Sequence, residues 1–319
     1  MFARLFQRSA PFTGRAHLTT SQPLLAPELS TSVKAANIKH VGVIGAGQMG
    51  IGIALVAANV AKLPVIVLDS KQEQIDKGIA FIDKLLEKDV SKSRISSEHA
   101  SETRARITTT TNISELADID IAIEAVSESL TLKQTIFHDL ARTTPSHAIL
   151  ATNTSSISIT KIAAAAGSRA HQVIGMHFMN PVPVMKLVEI IPSLQTEKGV
   201  VETVKELAVR MGKTCTTSED VPGFVANRLL MPYINEAIMA LESGVASKED
   251  IDTTMKLGMN MPMGPLTLAD FIGLDTCLAI MRVLHNELGD SKYRPAVLLT
   301  KYVDAGWLGR KNGRGFYSY

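Results

Sequence analysis

The sequence has few of the residues that cross-link a fold or hold a metal ion. Only two of its 319 residues are cysteines, Cys215 and Cys277, and neither belongs to a Cys/His cluster with the spacing of metal ligands. We therefore predict two buried free thiols, no disulfide framework and no metal site. The formal net charge is only +2, so charge gives no reason to expect nucleic acid or a membrane surface as a partner. No stretch approaches the roughly 18 apolar residues of a membrane span, so we expect no membrane insertion.

Acidic residues are absent from the first part of the chain. No Asp or Glu precedes Glu28, whereas Arg4, Arg8 and Arg15 lie among many Ser and Thr residues. An arginine-rich, acid-free and amphipathic leader is typical of a mitochondrial transit peptide. We predict such a leader over residues 1–30 and a location in the mitochondrial matrix. The alternative is a disordered tail whose composition arose by chance.

From residue 38 onward, short β-branched runs alternate with stretches of helical spacing. The runs "HVGVIGAG", "PVIVLD", "IDIAIEAV", "HAILATN", "QVIGMHF" and "MKLVEII" read as strands. This alternation predicts an α/β fold, a Rossmann-type domain with a mostly parallel sheet over residues 38–221. After "EDVPGF" only helical spacing remains, including a capping box of Ser247 and Asp250. We predict an all-α C-terminal domain over residues 222–319, whose helices are apolar on more than one face and therefore indicate a subunit interface.

A glycine-rich loop follows the first predicted strand. In "GVIGAGQMG", Gly45, Gly47 and Gly50 form the pattern G-x-G-x-x-G between a strand and a helix. Such a loop holds a dinucleotide pyrophosphate on backbone amides, so Ala46, Gln48 and Met49 join the predicted cofactor contacts. Asp69 follows about 20 residues later at the end of the second strand, where a carboxylate favours NAD over NADP. An ordinary strand-to-helix turn is the alternative for the loop.

A histidine and a glutamate occur in two neighbouring apolar runs of the stretch "MHFMNPVPVMKLVEI". His177 ends one predicted strand, and Glu189 lies in the next. A buried carboxylate needs a partner, and an imidazole held by a carboxylate is a suitable general base near neutral pH. We predict that Glu189 orients His177 as the base that takes a proton from an alcohol. A core histidine with a satisfied carboxylate is the alternative.

Several long motifs together resemble the NAD-dependent (S)-3-hydroxyacyl-CoA dehydrogenase family, which includes 3-hydroxybutyryl-CoA dehydrogenases. They are "NTSSISI", "GMHFMNPVPVMKLVEI", "EDVPGFVANRLLMPYINEA", "MPMGPLTLADFIGLD" and "GRKNGRGFY". The resemblance implies that His177 is the base and Glu189 its partner. It also implies contacts with the substrate from Ser155, Asn180 and Asn227, of which Ser155 and Asn227 also take part in catalysis. Further contacts with the cofactor are implied for Glu128, Lys133, Asn180 and Lys311.

Each of these matched residues also has a structural interpretation. Ser155 could cap the helix that begins near Ser156, and Asn180 could form an Asx-turn before Pro181. Lys133 and Lys311 could be solvated charges. Two further groups stay open: the lysines of the first long helix could meet CoA phosphates or form a mixed-charge surface, and the methionines of "GMNMPMGP" could line an acyl chain or pack between helices. These residues are Lys77, Lys84, Lys88, Met259, Met261 and Met263.

The family resemblance implies a reaction and a set of partners. An acyl-CoA substrate of short to medium chain length would be oxidised with NAD in fatty-acid β-oxidation. The chain would form a homodimer, with residues 222–319 as the domain for substrate binding and dimerisation. Two rivals remain. A β-hydroxyacid dehydrogenase would use a lysine before the helical domain, but "DVPGFVANR" contains none. A crystallin-like relative would bind cofactor without this activity, which the intact His177–Glu189 pair disfavours.

Overall fold

An eight-stranded sheet forms the centre of the first part of the molecule, in a computed structural model that describes residues 38–319. The predicted transit peptide lies outside the described residues. The strand order is β3-β2-β1-β4-β5-β6-β7-β8. All neighbours pair in parallel except β6 and β7, which are antiparallel. The strands are Val41–Ile44 (β1), Val65–Leu68 (β2), Ile107–Thr110 (β3), Ile121–Glu124 (β4), Ile149–Thr152 (β5), Val173–Phe178 (β6), Leu187–Pro192 (β7) and Thr214–Thr217 (β8).

Helices cover both faces of this sheet. They are Gln48–Asn59 (α1), Gln72–Ser91 (α2), Ser97–Ala105 (α3), Leu130–Thr143 (α4), Ile159–Ala163 (α5) and Lys198–Arg210 (α6). Side chains alternate between two apolar clusters along the inner strands, as the pleat requires. Ile174 and Met176 of β6 pack with α1, α2 and α6, whereas Val173 packs with α4 and α5. His177 therefore points to the face that α4 and α5 cover.

The rest of the chain is helical and has its own apolar cluster. Its helices are Ala226–Glu242 (α7), Lys248–Thr253 (α8), Pro265–Ile272 (α9), Leu274–Leu288 (α10) and Val297–Asp304 (α11). The N-cap half of the predicted capping box at α8 is present, because the Ser247 hydroxyl accepts a hydrogen bond from the Asp250 amide at 3.1 Å. The Asp250 carboxylate accepts from the Ser247 hydroxyl and not from the Ser247 amide, so the reciprocal half differs from the prediction. The C-terminal segment docks on α9, where Asp270 accepts hydrogen bonds from the amides of Phe316 and Tyr317. The predicted fold class, a mostly parallel Rossmann-type sheet followed by helices, is confirmed.

Sequence reasoning missed two strands, which form the two edges of the sheet. The run "ITTT" of β3 buries only its first and last residues, and the run "TCTT" of β8 has no fully buried residue. Without a buried apolar row they carry little periodic signal, although their β-branched residues favour strands. The prediction of two buried thiols is correct for Cys277 and wrong for Cys215, which is half-buried because it lies on the edge strand β8.

The described residues form one compact unit, so the division at residues 221–223 stays a prediction. Strand β8 ends at Thr217, and helix α7 begins at Ala226. Within residues 38–319 there is no helix long and apolar enough to cross a membrane. The same residues contain no group of three His, Cys, Asp or Glu side chains placed to hold a metal ion.

Candidate active site

The glycine-rich loop connects β1 to α1 in a conformation that depends on its glycines. Gly45 has a φ of +105°, which L side chains rarely adopt. A methyl group at Gly50 would overlap the carbonyl oxygen of Gly45, so only glycine lets the helix start this close to the strand. Around Gly47, in contrast, no atom lies within 4 Å of the place where a side chain would begin. The loop therefore leaves open space beside its backbone, as a bound pyrophosphate would require.

Asp69 joins the end of β2 to this loop. Its Oδ2 accepts a hydrogen bond from the Ala46 amide at 2.8 Å, and its Oδ1 accepts one from the Lys71 amide at 3.0 Å. The loop glycines, Ala46 and Asp69, all predicted from the sequence, therefore meet at the carboxyl ends of the parallel strands β1 and β2. An acid in this place can accept hydrogen bonds from ribose hydroxyls and repel a 2′-phosphate.

A cleft of about 280 Å³ lies between the glycine-rich loop and helix α2. Ala46, Gly47 and Gln48 line one side, and Lys77 and Phe81 line the other. Lys77 forms an exposed ion pair with Glu73 at 2.6 Å, which agrees with the mixed-charge interpretation of this helix surface. Because Lys77 also borders the cleft, a contact with a bound anion stays a prediction.

His177 and Glu189 are directly opposite each other on the antiparallel strands β6 and β7. His177 Nδ1 and Glu189 Oε2 are 2.8 Å apart, and both side chains are buried, at 7% and 1% exposure. This distance makes Nδ1 the protonated nitrogen when the ring is neutral, because an ionised carboxylate can only accept. Nε2 then carries the lone pair. The predicted pair is present in the structure, and it fixes the ring with its basic nitrogen away from Glu189.

The second carboxylate oxygen of Glu189 holds the start of helix α7. Oε1 accepts hydrogen bonds from the amides of Val225 and Ala226 at 3.0 and 2.9 Å. Burial alone raises the pKa of the Glu189 carboxyl, but the hydrogen bonds from His177, Ala226 and Val225 outweigh burial and hold that pKa below its usual value. The carboxylate is therefore ionised beside the imidazole at neutral pH.

The ring of Phe224 packs beside the ring of His177. Its ring centroid is 5.8 Å from that of His177, and the two rings are tilted by 59°. Phe224 is buried and has a φ of +49°, a left-handed conformation that is uncommon for an aromatic residue. The segment that leads into the helical part thus contacts both members of the His177–Glu189 pair.

Glu128 organises the loop that contains Ser155. Its Oε1 accepts hydrogen bonds from the Ser155 amide at 2.8 Å and from the Ser155 hydroxyl at 3.1 Å. Thr154 and Ser156 donate to the same oxygen. Burial alone raises the pKa of the Glu128 carboxyl. The Lys133 charge and the hydrogen bonds from Thr154 and Ser155 outweigh burial, so the pKa lies below its usual value. The helix-capping interpretation of Ser155 is wrong, because the side chain that caps α5 is Ser158.

Lys133 is completely buried in an ion-paired network. Its Nζ is 2.7 Å from Glu124 Oε1 and 3.4 Å from Glu128 Oε2. Thr152 donates to the other oxygen of Glu124 at 2.7 Å, which ties together the ends of β4 and β5. The solvated-charge interpretation of Lys133 is therefore wrong. Lys133 reaches Glu128 from inside the protein and supports the Ser155 loop.

The two predicted asparagines contact different parts of the site. Asn180 Oδ1 accepts a hydrogen bond from Gln48 Nε2 at 3.1 Å, so Asn180 contacts the first residue of α1. Asn227, in the first turn of α7, donates through Nδ2 to the Ser155 carbonyl at 3.2 Å. The helical part therefore reaches the Ser155 loop directly. Both positions agree with roles in orienting a bound substrate.

Lys311 and the methionines lie in the helical part. Lys311 Nζ pairs with Asp275 at the start of α10, and none of its hydrogen bonds joins it to the glycine-rich loop. Its predicted cofactor contact stays a prediction. Met259 and Met261 are 61% and 40% exposed, so the packing interpretation is wrong for them. The acyl-chain surface stays a prediction.

Sequence reasoning did not identify several residues that hold the site together. Asp220 accepts hydrogen bonds of 2.8 Å from the Ser158 hydroxyl and from the amides of Ile159 and Thr160. Asn153 accepts a hydrogen bond from the Phe178 amide at 2.8 Å. Glu124, like these two, has a role that appears only in three dimensions. A polar residue at the end of a predicted strand is the signal that could have drawn attention to Glu124 and Asn153.

Comparison with known proteins identifies the family. The family model described as "3-hydroxyacyl-CoA dehydrogenase, NAD binding domain" matches residues 40–221, and the model of the C-terminal domain matches residues 223–319. The chain belongs to the NAD-dependent 3-hydroxyacyl-CoA dehydrogenase family. The resemblance stated from the sequence motifs is thus confirmed at the level of the family, and so are NAD as cofactor and the class of oxidoreductase.

Relatives of the family resemble this chain over nearly their whole length. A 3-hydroxybutyryl-CoA dehydrogenase of Bradyrhizobium diazoefficiens is 52% identical over 285 residues, which cover 89% of this chain and 97% of the relative. The mitochondrial hydroxyacyl-coenzyme A dehydrogenase of Homo sapiens is 40% identical and covers 91% of this chain and 94% of the relative. The crystal structure of (S)-3-hydroxybutyryl-CoA dehydrogenase from Ralstonia eutropha superposes with a TM-score of 0.85 at 48% identity, covering 88% and 99% of the two chains.

Proposed function

We propose that this chain oxidises (S)-3-hydroxyacyl-CoA of short to medium chain length, including 3-hydroxybutyryl-CoA, to 3-oxoacyl-CoA with NAD. One observation carries the proposal: Glu189 holds His177 by Nδ1 at 2.8 Å, which leaves Nε2 as the basic nitrogen for a substrate hydroxyl. His177 lies near the carboxyl end of β6, on the same side of the sheet as the glycine-rich loop, which follows the carboxyl end of β1. Ligands of open α/β sheets bind outside the carboxyl ends of the strands.

The residues of the chain supply proton transfer and orientation. In the proposed reaction, His177 Nε2 takes the proton of the substrate 3-hydroxyl, and the ionised Glu189 stabilises the imidazolium that forms. The nicotinamide of bound NAD would supply the hydride acceptor for C3. Ser155, Asn180 and Asn227 offer hydroxyl and amide groups that can orient the thioester carbonyl. The buried positions of His177 and Glu189 limit competing contacts with water.

We extend the proposal to the setting in which the reaction takes place. The composition of residues 1–30 supports import into the mitochondrial matrix, where the chain would serve fatty-acid β-oxidation. Import of a fluorescent protein that carries residues 1–37 would test this step.

Exposed apolar side chains of the helical part, such as Val225, Leu229 and Phe271, support a homodimer. Light scattering after size-exclusion chromatography would measure the mass of the assembly.

The activity is tested in the reductive direction, by the loss of NADH absorbance with acetoacetyl-CoA. We expect turnover with acetoacetyl-CoA, much less with NADPH, and none with free acetoacetate. A series of 3-oxoacyl-CoA substrates of increasing length then gives the preferred chain length. Turnover of free acids but not of thioesters would instead indicate a β-hydroxyacid dehydrogenase. NADH binding without any turnover would indicate a cofactor-binding protein of the crystallin-like kind.

A further inference from the structure

Lys213 is a buried lysine for which sequence reasoning gave no role. It lies between helix α6 and strand β8 and is only 7% exposed. Its Nζ donates to the carbonyl oxygens of Val182 and Met185, at 2.5 and 2.8 Å. None of the ion pairs within residues 38–319 includes Lys213. The cation is thus stabilised by backbone carbonyls of a single loop.

Burial of this amine is energetically unfavourable unless its hydrogen bonds compensate. Desolvation lowers the pKa of the Lys213 amine, because the surroundings disfavour the charged form. An apolar residue would avoid this penalty if the position served only to fill space. The two carbonyl contacts therefore suggest that Lys213 holds the loop in one conformation.

The loop in question, residues 179–186, joins strand β6 to strand β7. His177 and Glu189 lie on these two strands, and Asn180 is within the loop. Val182 is buried against α1, because a methyl group at Gly52 would lie 2.8 Å from the Val182 Cβ. Asn180 in turn accepts the hydrogen bond from Gln48. The loop thus contacts the helix that begins at the glycine-rich loop, and it also accepts the two hydrogen bonds of Lys213.

We propose that Lys213 is a positioning residue, which fixes the 179–186 loop through the carbonyls of Val182 and Met185 and so places Asn180 for the reaction. The role in the reaction rests on the proposed function, whereas the anchoring of the loop does not. A displacement of about 1 Å at a reacting group can cost about 100-fold in rate. Loss of the anchor is therefore expected to appear in turnover.

Hydrogen exchange tests the anchor without reference to activity. The amides of Val184 and Met185 both donate to the Pro181 carbonyl, so their exchange reports on the order of the loop. In Lys213→Met we expect at least tenfold faster exchange for peptides within 181–187 and unchanged exchange for β4 and β5. Lys213→Arg, which keeps the charge, should retain most of the protection. Lys198→Met, an exposed lysine at the start of α6, is the matched control.

A double-mutant cycle tests the link to Asn180. We compare kcat/KM of Lys213→Met, Asn180→Ala and the double variant with acetoacetyl-CoA and NADH. We expect each single variant to lose about tenfold to a hundredfold, and the double variant to lose little more than the stronger single variant. NADH affinity measured by fluorescence in the same variants separates a loss of turnover from a loss of cofactor binding through Asn180 and Gln48. If Lys213→Met does not fold, Lys213→Gln replaces it with a smaller expected effect, because the neutral Gln amide can donate to the carbonyls but lacks the charge of the ammonium group.

The possible results separate the two proposals. Unchanged exchange of the 181–187 peptides would overturn the anchor, and fully additive losses in the cycle would overturn the action through Asn180. A wild-type protein with no dehydrogenase activity would overturn the proposed function. In that case, the exchange experiment would still decide whether Lys213 holds the loop.

Discussion

Glu189 and Ala226 are joined by a hydrogen bond of 2.9 Å from the Ala226 amide to Oε1 of the carboxylate. The other oxygen, Oε2, contacts the His177 ring at 2.8 Å. One buried carboxylate therefore orients the proposed base and holds the first turn of helix α7. This helix also brings Asn227 to the Ser155 carbonyl. The geometry of the base and the docking of the helical part thus depend on the same side chain.

Glu189→Gln is expected to lower both stability and activity. At pH 7 the variant loses charge-assisted hydrogen bonds, which contribute about 1.5–3 kcal/mol to the free energy of unfolding. The pKa of Glu189 is lowered in the folded state, so its stabilisation is present above the unfolded carboxyl pKa of about 4.3 and is lost as pH falls through the lower folded value. Urea unfolding at pH 7 and at lower pH measures this difference.

The matched control for this experiment is Glu206→Gln, at an exposed position of α6. It should change the free energy of unfolding by no more than about 0.5 kcal/mol. The difference in the free energy of unfolding between wild type and Glu189→Gln should become smaller at acidic pH, because the wild-type carboxylate is protonated there. A gap that stayed constant from pH 7 to pH 3 would contradict a stabilising role for the charge.

His177→Asn should reduce kcat by about 10²–10⁴-fold, the usual contribution of a general base. NADH binding, followed by fluorescence, should be retained, because the glycine-rich loop and Asp69 do not use the imidazole. His138→Asn is the control, since His138 is an exposed residue of α4. A variant at position 177 that turned over within a few-fold of wild type would remove the imidazole from proton transfer.

Asp69→Ala should change the choice between NAD and NADP. The carboxylate is placed to accept ribose hydrogen bonds and to repel a 2′-phosphate. Its loss should lower the ratio of kcat/KM for NAD over NADP by about tenfold or more, since a lost hydrogen bond to a charged group weakens binding by at least about 1.5 kcal/mol. Asp76→Ala, on the exposed surface of α2, should leave that ratio unchanged. An unaltered ratio in Asp69→Ala would argue that another group selects the cofactor.

The two thiols are expected to differ in reactivity. Burial, with smaller effects of Asp275 and Asp270, raises the pKa of Cys277 to about 12. Its thiolate is then scarce at pH 8, and the thiol itself is inaccessible. Iodoacetamide should therefore label half-buried Cys215 first, and Cys277 only in urea. Peptide mass spectrometry measures both sites, and labelling of Cys277 in the native protein at the rate of Cys215 would contradict this prediction.

Local patterns in the sequence predicted those parts of the site that depend on local geometry. The glycine-rich loop, Asp69 and the His177–Glu189 pair each follow from strand ends and turn chemistry. Buried strands were predictable because their side chains are apolar on both faces of the sheet. The edge strands β3 and β8 lack that signal.

Polar groups that act through distant partners could not be predicted in this way. Lys213 contacts a loop about 30 residues away, and Asp220 contacts a helix start about 60 residues away. Nothing in the immediate neighbourhood of either residue marks it as buried or bonded. Only the family resemblance suggested Glu128 and Lys133, and it did so as cofactor contacts rather than as an ion pair with each other.

Lys133→Met should destabilise the protein strongly while an equivalent change at the surface should not. Lys133 and Glu124 are both buried, whereas Glu128 is exposed, so removal of the amine leaves the Glu124 carboxylate without a cation in the interior. Breaking a buried ion pair from one side typically costs about 3–5 kcal/mol. Lys88→Met, at an exposed position of α2, should stay within about 0.5 kcal/mol of wild type. Because Glu128 also holds Ser155, the Lys133 variant should lose activity as well as stability. The double variant Lys133→Met, Glu124→Gln should regain part of the lost free energy of unfolding, measured in urea. A double variant no more stable than Lys133→Met would show that the unpaired Glu124 charge does not cause the destabilisation.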